Sequence, residues 1–117
     1  SIGARYREIN DEEMLNQVAK EISNGKSVGW FQGKMEFGPR ALGARSILAD
    51  PRDKETQKNL NLKIKFRESF RPFAPAVLKE KVHEWFDFDG TSPYMLIVAK
   101  ILESRKIKVK EAIRVLN

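Results

Sequence analysis

Apolar and polar positions alternate in short blocks along the chain, and the first block has a helical period. Met14, Leu15, Val18, Ala19 and Ile22 recur three or four residues apart, which places them on one face of a helix. Asn10 or Asp11 suits the N-cap, and Glu12 and Glu13 favour the positive end of the helix dipole. Asn24-Gly25 ends the run, so the pattern predicts a helix over Asp11–Ser23. Residues 27–32 are apolar and aromatic between glycines and predict a buried strand. Residues 33–43 are rich in turn formers, with Pro39 placed to open one helical turn that Gly43 closes. Residues 45–49 predict a second strand, and Asp50-Pro51 a helix entry capped by Asp50.

The next stretch fits two periods. Leu60, Leu62, Ile64 and Phe66 alternate with Asn61, Lys63, Lys65 and Arg67, as in a half-buried strand with a basic face. Leu60/Ile64 and Leu62/Phe66 are also helical pairs. The helix entry upstream favours helix to about Lys63 and an extended basic segment after it. Pro72 and Pro75 bias the residues before them to extended geometry, which holds Arg71 on a stiff backbone. Residues 76–78 predict a short strand, 79–86 a helix carrying Val82, Trp85 and Phe86, and Asp89-Gly90 a turn. Residues 94–99 predict an apolar strand. The tail from 101 to 117 reads as helical or frayed, with Ile107, Val109, Ala112, Ile113 and Leu116 as its apolar set. Trp30, Phe31, Trp85, Phe86 and Phe88 are expected in the core. Helices alternating with short strands give an α/β or α+β class.

Composition narrows the function classes. The 117 residues, 41% hydrophobic and 32% charged, suit one soluble domain with a modest core. No apolar run approaches the roughly 20 residues of a membrane span, and no signal-peptide pattern opens the chain, so a cytoplasmic location is expected. Without cysteine there is no disulfide framework, thiol nucleophile or Cys-based metal site. A single histidine, His83, excludes a His-only zinc site, and no nucleophile or paired carboxylate lies near it in sequence. The net charge of +6 favours anionic partners. It is concentrated between Lys26 and Lys81, where 13 Lys/Arg face 6 Asp/Glu.

Candidate chemistry sits in that basic centre. Gly33, Gly38 and Gly43 enclose Pro39 and Arg40, and Arg45 and Ser46 follow directly. Lys63, Lys65 and Arg67 form a second cluster, and Arg71-Pro72-Phe73-Ala74-Pro75 a third element. Arginine beside glycine in a turn lets a guanidinium and bare backbone N–H groups converge on one set of anionic oxygens, as in a phosphate or carboxylate site. Ser46 could add a hydroxyl donor or simply start a strand. Glu36 and Asp50 could share a magnesium ion with substrate phosphates, or serve as caps and ion-pair partners. Gly25-Lys26-Ser27 is not a phosphate-binding P-loop, because the pattern needs a glycine at Lys20 and a strand before it. With no nucleophile–base pair in sequence, catalysis here would rest on positioning and charge neutralisation.

Residues 29–43, from Gly29-Trp30-Phe31-Gln32-Gly33 through Glu36-Phe37-Gly38-Pro39-Arg40-Ala41-Leu42-Gly43, resemble the C-terminal domain of the O-carbamoyltransferases. Arg45-Ser46-Ile47-Leu48-Ala49-Asp50-Pro51-Arg52, Lys63-Ile64-Lys65-Phe66-Arg67-Glu68, Phe70-Arg71-Pro72-Phe73-Ala74-Pro75 and Ser92-Pro93-Tyr94-Met95 continue the match, which is strongest over 17–99. The resemblance implies a YrdC-like α/β domain, a twisted mixed sheet with flanking helices, that takes carbamoyl phosphate and ATP with Mg2+ and makes carbamoyl-adenylate. An actin-like N-terminal domain would then pass the carbamoyl group to a hydroxyl of the acceptor. Lys34, Arg40, Arg45, Ser46 and Arg71 would bind phosphates, with Lys63, Lys65 and Arg67 as support. Ala44 stands where the family usually has asparagine. The family's segments after Ala99 are not matched and no initiator Met is present, so the 117 residues are expected to be a single partial domain, truncated on its C-terminal side and inactive alone. A basic RNA-binding module of YrdC-like fold is the alternative. No RNA-recognition signature supports it, and few aromatics interleave with the basic run.

Overall fold

Asn10 starts the first helix, α1 (Asp11–Ser23), as expected: its backbone is extended and its side chain accepts the Glu13 N–H at 2.8 Å. Gly25 at φ +79° turns the chain away, and Lys26 N–H closes the end on the Glu21 carbonyl. In this computed structural model, residues 3–107 are described. Contacts within the domain cluster into two compact units, Ser1–Ala74 and Pro75–Asn117.

In the first unit, β1 (Val28–Phe31) pairs antiparallel with β2 (Arg45–Leu48), Val28 opposite Leu48 and Phe31 opposite Arg45. The strand expected to be buried is only half-buried. A two-stranded ribbon leaves one face without a covering layer, so Val28 and Trp30 turn partly inward while Phe31 stays 75% exposed. The helical turn expected at 39–43 does not form. Gly38 and Gly43 take φ of +102° and +120°, outside the right-handed helical region, and the segment becomes an irregular loop.

Asp50 caps no helix. Its Oδ1 accepts the Arg52 N–H at 2.9 Å, an Asx turn, and its carboxylate holds the Arg52 guanidinium. Helix α2 (Thr56–Asn59) begins later, after Asp53 accepts the Glu55 N–H at 3.0 Å. It runs on as a π-helical turn, Leu60–Ile64, closed by Lys65 N–H on the Leu60 carbonyl. Helix to about Lys63 is therefore present, but the extended basic segment is not: Phe66 is left-handed at φ +50°, and Arg67 N–H returns to the Asn61 carbonyl at 2.9 Å. Among the described residues, the buried side chains are Leu60, 6% exposed, and Asn61, 0%.

In the second unit, a 3-10 helix (Lys79–Glu84) replaces the expected α-helix and ends where Phe86 enters a strand. Strand β3 (Phe86–Asp87) pairs antiparallel with β4 (Lys100–Ile101). The strands expected at 76–78 and 94–99 do not form. Met95 is left-handed at φ +55°, and Leu96 and Val98 face solvent with no partner strand to bury them. A 3-10 turn at Glu103–Arg105 follows β4, so helix does not begin at 101; Val109, Ala112, Ile113 and Leu116 lie outside the described residues. Trp85 and Phe31, expected in the core, each carry a guanidinium on the ring instead, Arg105 at 4.5 Å and Arg45 at 3.4 Å. The class is mixed α and β as expected, with two-stranded antiparallel sheets among the described residues. No described helix is long and apolar enough to cross a membrane.

Candidate functional site

The loop between β1 and β2 is folded around a carboxylate. Glu36 Oε1 accepts the backbone N–H of Leu42 at 3.0 Å and of Ala44 at 3.1 Å. Gly43 N–H donates to Ser46 Oγ at 3.1 Å, which closes the C-terminal end of the loop. Arg45 clamps the N-terminal end. Its Nη1 donates to the carbonyls of Gln32 (2.8 Å) and Ala44 (2.7 Å), and its Nη2 to that of Gly33 (3.2 Å). The loop thus fixed lines an open cavity of about 350 Å3, with Arg40 and Arg45 as its cations, Glu36 as its carboxylate, and Met35, Phe37 and Pro39 as its apolar wall. Arg40 is exposed and, among the described residues, makes no hydrogen bond or ion pair. A guanidinium in that state has its full set of donors for a ligand.

A second basic group is organised by Asn61. Its Nδ2 donates to the carbonyls of Ser69 (3.1 Å) and Arg71 (2.8 Å), and its Oδ1 accepts from Arg67 Nε at 2.6 Å. Gln57, one helical turn earlier, donates to the carbonyls of Phe70 and Arg71 at 3.2 and 3.1 Å. The Arg67 guanidinium lies 4.9 Å from the centroid of Phe73. The segment carrying Arg71 is held mainly by side-chain amides, consistent with prolines that withhold backbone donors.

The residues singled out from sequence therefore divide into two kinds. Arg45, Ser46 and Arg67 spend donors or acceptors inside the fold. Lys34, Arg40, Lys63, Lys65 and the Arg71 side chain are exposed and form no ion pair among the described residues. Arg40 and Arg45 share the cavity, whereas Lys34 and Ser46 do not line it. No described hydrogen bond or ring contact joins the Arg40 group to the Arg67–Arg71 group. Glu36 and Asp50 are occupied as loop clamp and ion-pair partner, and no described cluster of three or more acidic or histidine residues could hold a metal. The hydrogen bond from the Arg52 side chain, with that from its backbone, holds the Asp50 carboxyl at about 2. Arg52 is correspondingly raised and its charge neutralised locally. Asn61 and Gln57 escape a reading that searches for charge. In sequence Asn61 is one of the regular polar positions of the 60–67 alternation, and nothing there marks it or Gln57 out.

A model of the family described as "Carbamoyltransferase C-terminus" matches residues 19–115. An uncharacterised protein of Synechocystis sp. is 55% identical over 107 residues, covering 92% of this chain and 17% of the relative. Nodulation protein NolO of Bradyrhizobium diazoefficiens is 46% identical over 97 residues (80% of this chain, 18% of the relative). The 3'-hydroxymethylcephem-O-carbamoyltransferase of Amycolatopsis lactamdurans is 39% identical over 93 residues (80% and 18%). The chain spans less than a fifth of the length of these relatives. By the extent of the family match, over residues 19–115 of 117, the chain belongs to the carbamoyltransferase C-terminal family.

Proposed function

We propose that this chain supplies the phosphate-binding face of a carbamoyltransferase that takes carbamoyl phosphate and ATP, forms carbamoyl-adenylate, and leaves transfer to an acceptor hydroxyl to an actin-like N-terminal domain of a longer protein. The observation that carries the reading is Arg40: an unpaired guanidinium over an open cavity, on a loop locked by Glu36 and Arg45. The loop backbone beneath Arg40 is fixed while its side chain has no internal partner among the described residues, so it can bind an anion without first breaking an internal bond. A relative named for O-carbamoylation supports the reaction class.

The chemistry sets the demand on these residues. Water cleaves carbamoyl phosphate to carbamate and inorganic phosphate. A carbamate oxygen then attacks the α-phosphate of ATP, the new P–O bond forming as the bond to pyrophosphate breaks. These steps gather several anionic groups in one place. Bound ATP supplies the adenylyl group. Arg40, Lys34 and Arg71 would offset the gathered charge and orient the phosphates, while Arg45, its donors spent on carbonyls, adds field rather than contacts. Mg2+ would arrive with the nucleotide and be held mainly by its phosphates, and no step is assigned to it. In this reading the exposed apolar side chains Phe37 and Val98 are covered in the longer protein.

Calorimetric titration with carbamoyl phosphate, then ATP with Mg2+, tests the proposal on wild type, Arg40→Ala and Arg71→Ala. Each substitution is expected to weaken carbamoyl phosphate binding by about tenfold or more, the worth of one charge-assisted contact. Binding that neither substitution alters would refute it. So would absence of carbamoyl phosphate binding together with tight, steeply salt-dependent binding of RNA.

A further inference from the structure

The geometry points to Asn61 as the positioning residue of a phosphate-binding arginine pair, Arg67 and Arg71. The inference rests on the reading of the basic face as a phosphate site. It concerns a residue that touches no ligand itself and acts through two that would.

Asn61 is the one described side chain with no exposure at all. Burying an amide is unfavourable unless its hydrogen bonds are made, and here both its donors and its oxygen are used. All three bonds go to the segment from Arg67 to Arg71. The main chain adds a fourth, from Arg67 N–H to the Asn61 carbonyl. That carbonyl is reached because the helix has widened into a π turn, where Lys65 N–H bonds Leu60 and the chain then folds back through the left-handed Phe66. A widened turn of this kind marks functional sites more often than ordinary helix does.

The consequence for the arginines is specific. The Arg71 carbonyl accepts from two amides, Asn61 at 2.8 Å and Gln57 at 3.1 Å, so its backbone is pinned while its side chain stays exposed. Arg67 is pinned from the side-chain end. Its Nε is held by Asn61 Oδ1 and its guanidinium plane by Phe73, which leaves both terminal amino groups without a protein partner among the described residues. Two terminal N–H groups on a fixed plane are the donors that a phosphate accepts in bidentate fashion. A negatively charged residue at position 61 could also accept from Arg67, but it would lose both donors to Ser69 and Arg71 and weaken the field. An amide does both tasks without charge.

The test uses the 117-residue chain and inorganic phosphate as the probe. Wild type, Asn61→Ala, Gln57→Ala, the pair Arg67→Ala/Arg71→Ala and that pair combined with Asn61→Ala are titrated calorimetrically, and retained helix is checked by circular dichroism. Asn61→Ala is expected to weaken phosphate by about tenfold, and to have no further effect where both arginines are gone. The Arg67 Nε–H, which donates to Asn61 Oδ1 in wild type, should exchange slowly there and should move to its solvent-exposed resonance position in Asn61→Ala. If Asn61→Ala does not fold, Gln57→Ala decides, with a several-fold loss expected because it removes one of the two amides on the Arg71 carbonyl. The inference is overturned if wild type binds no phosphate, if folded variants bind as wild type does, or if Asn61→Ala weakens binding equally without the arginines. Arginine-dependent phosphate binding with carbamoyl phosphate no tighter and ATP unbound would instead refute the carbamoyltransferase chemistry and leave Asn61 its role.

Discussion

Replacing Glu36 by alanine should loosen one loop and leave the strands on either side of it in place. Two backbone N–H groups, of Leu42 and Ala44, depend on Oε1. A hydrogen bond to a charged group contributes about 1.5–3 kcal/mol, and partial solvent access lowers this toward about 1 kcal/mol each, so the two together oppose local opening by about 2 kcal/mol. That corresponds to a roughly 30-fold rise in the open population. Amide hydrogen exchange followed by NMR reads it directly: Leu42 and Ala44 should exchange about 30-fold faster in Glu36→Ala, where exchange reports local opening. Paired amides of β1 and β2 should hold their rates. Glu36→Gln keeps an acceptor oxygen and should fall between. Oε2 is buried without a partner, and its removal recovers a desolvation cost, so the roughly 30-fold figure is an upper value. Unchanged exchange at Leu42 and Ala44 would refute the clamp. Equal acceleration across both strands would show that Glu36 supports the sheet and not the loop that carries Arg40.

Other outcomes follow from the ion pairs and ring contacts. Asp50 is held at about 2 against an ordinary 3.8, so the Asp50–Arg52 contribution is complete above about 3.8 and lost as pH falls through about 2. Carboxyl NMR titration of Arg52→Ala should show the Asp50 midpoint moving up toward 3.8, and an unmoved midpoint would refute the pairing. Arg45→Lys should lower stability by about 1–2 kcal/mol, since an ammonium cannot reach three carbonyls in the planar fork that guanidinium presents; thermal unfolding checks it, with no change in Tm as the refuting result. Arg105→Gln, read in a Trp30→Phe background, should shift Trp85 emission to the red as the guanidinium leaves the ring. An unshifted spectrum would show that the stack does not shield the indole.

Helix α1 was legible because cap, dipole and period all agree over Asp11–Ser23. The β1–β2 pair was legible for a similar reason, with glycines bounding two apolar runs. Elements failed where local pattern depended on a partner. Residues 94–99 have strand composition, yet β3 offers only Phe86 and Asp87, opposite Ile101 and Lys100, and the rest stays unpaired. The helix entry at Asp50-Pro51 failed because Arg52 captured the carboxylate that would have capped it. In the site, charge was visible in sequence and its use was not. Nothing in the one-letter pattern distinguishes Arg45, saturated by three carbonyls, from Arg40, which has none.

That distinction decides how the two arginines should respond to the same change. Hydrogen-bond donation is short-ranged and used once, whereas charge acts over distance whether or not the donors are spent. At a separation of 6 Å, in an environment of intermediate dielectric, a unit charge still attracts a phosphate oxygen by about 2–3 kcal/mol. On the proposed reading, Arg45 holds the loop and would still draw anions toward the cavity without specifying their orientation, which would fall to Arg40. Lysine at position 40 keeps the charge and loses the planar fork, so it should retain the salt dependence of binding while losing discrimination between phosphate and simple carboxylate anions. Lysine at position 45 should unsettle the loop first, and affect anion binding only through the position of Arg40. In a unit whose described buried apolar side chain is Leu60 alone, such polar clamps set the local geometry that packing sets in a larger core. The placement of the cations is then only as firm as Glu36, Arg45 and Asn61 make it.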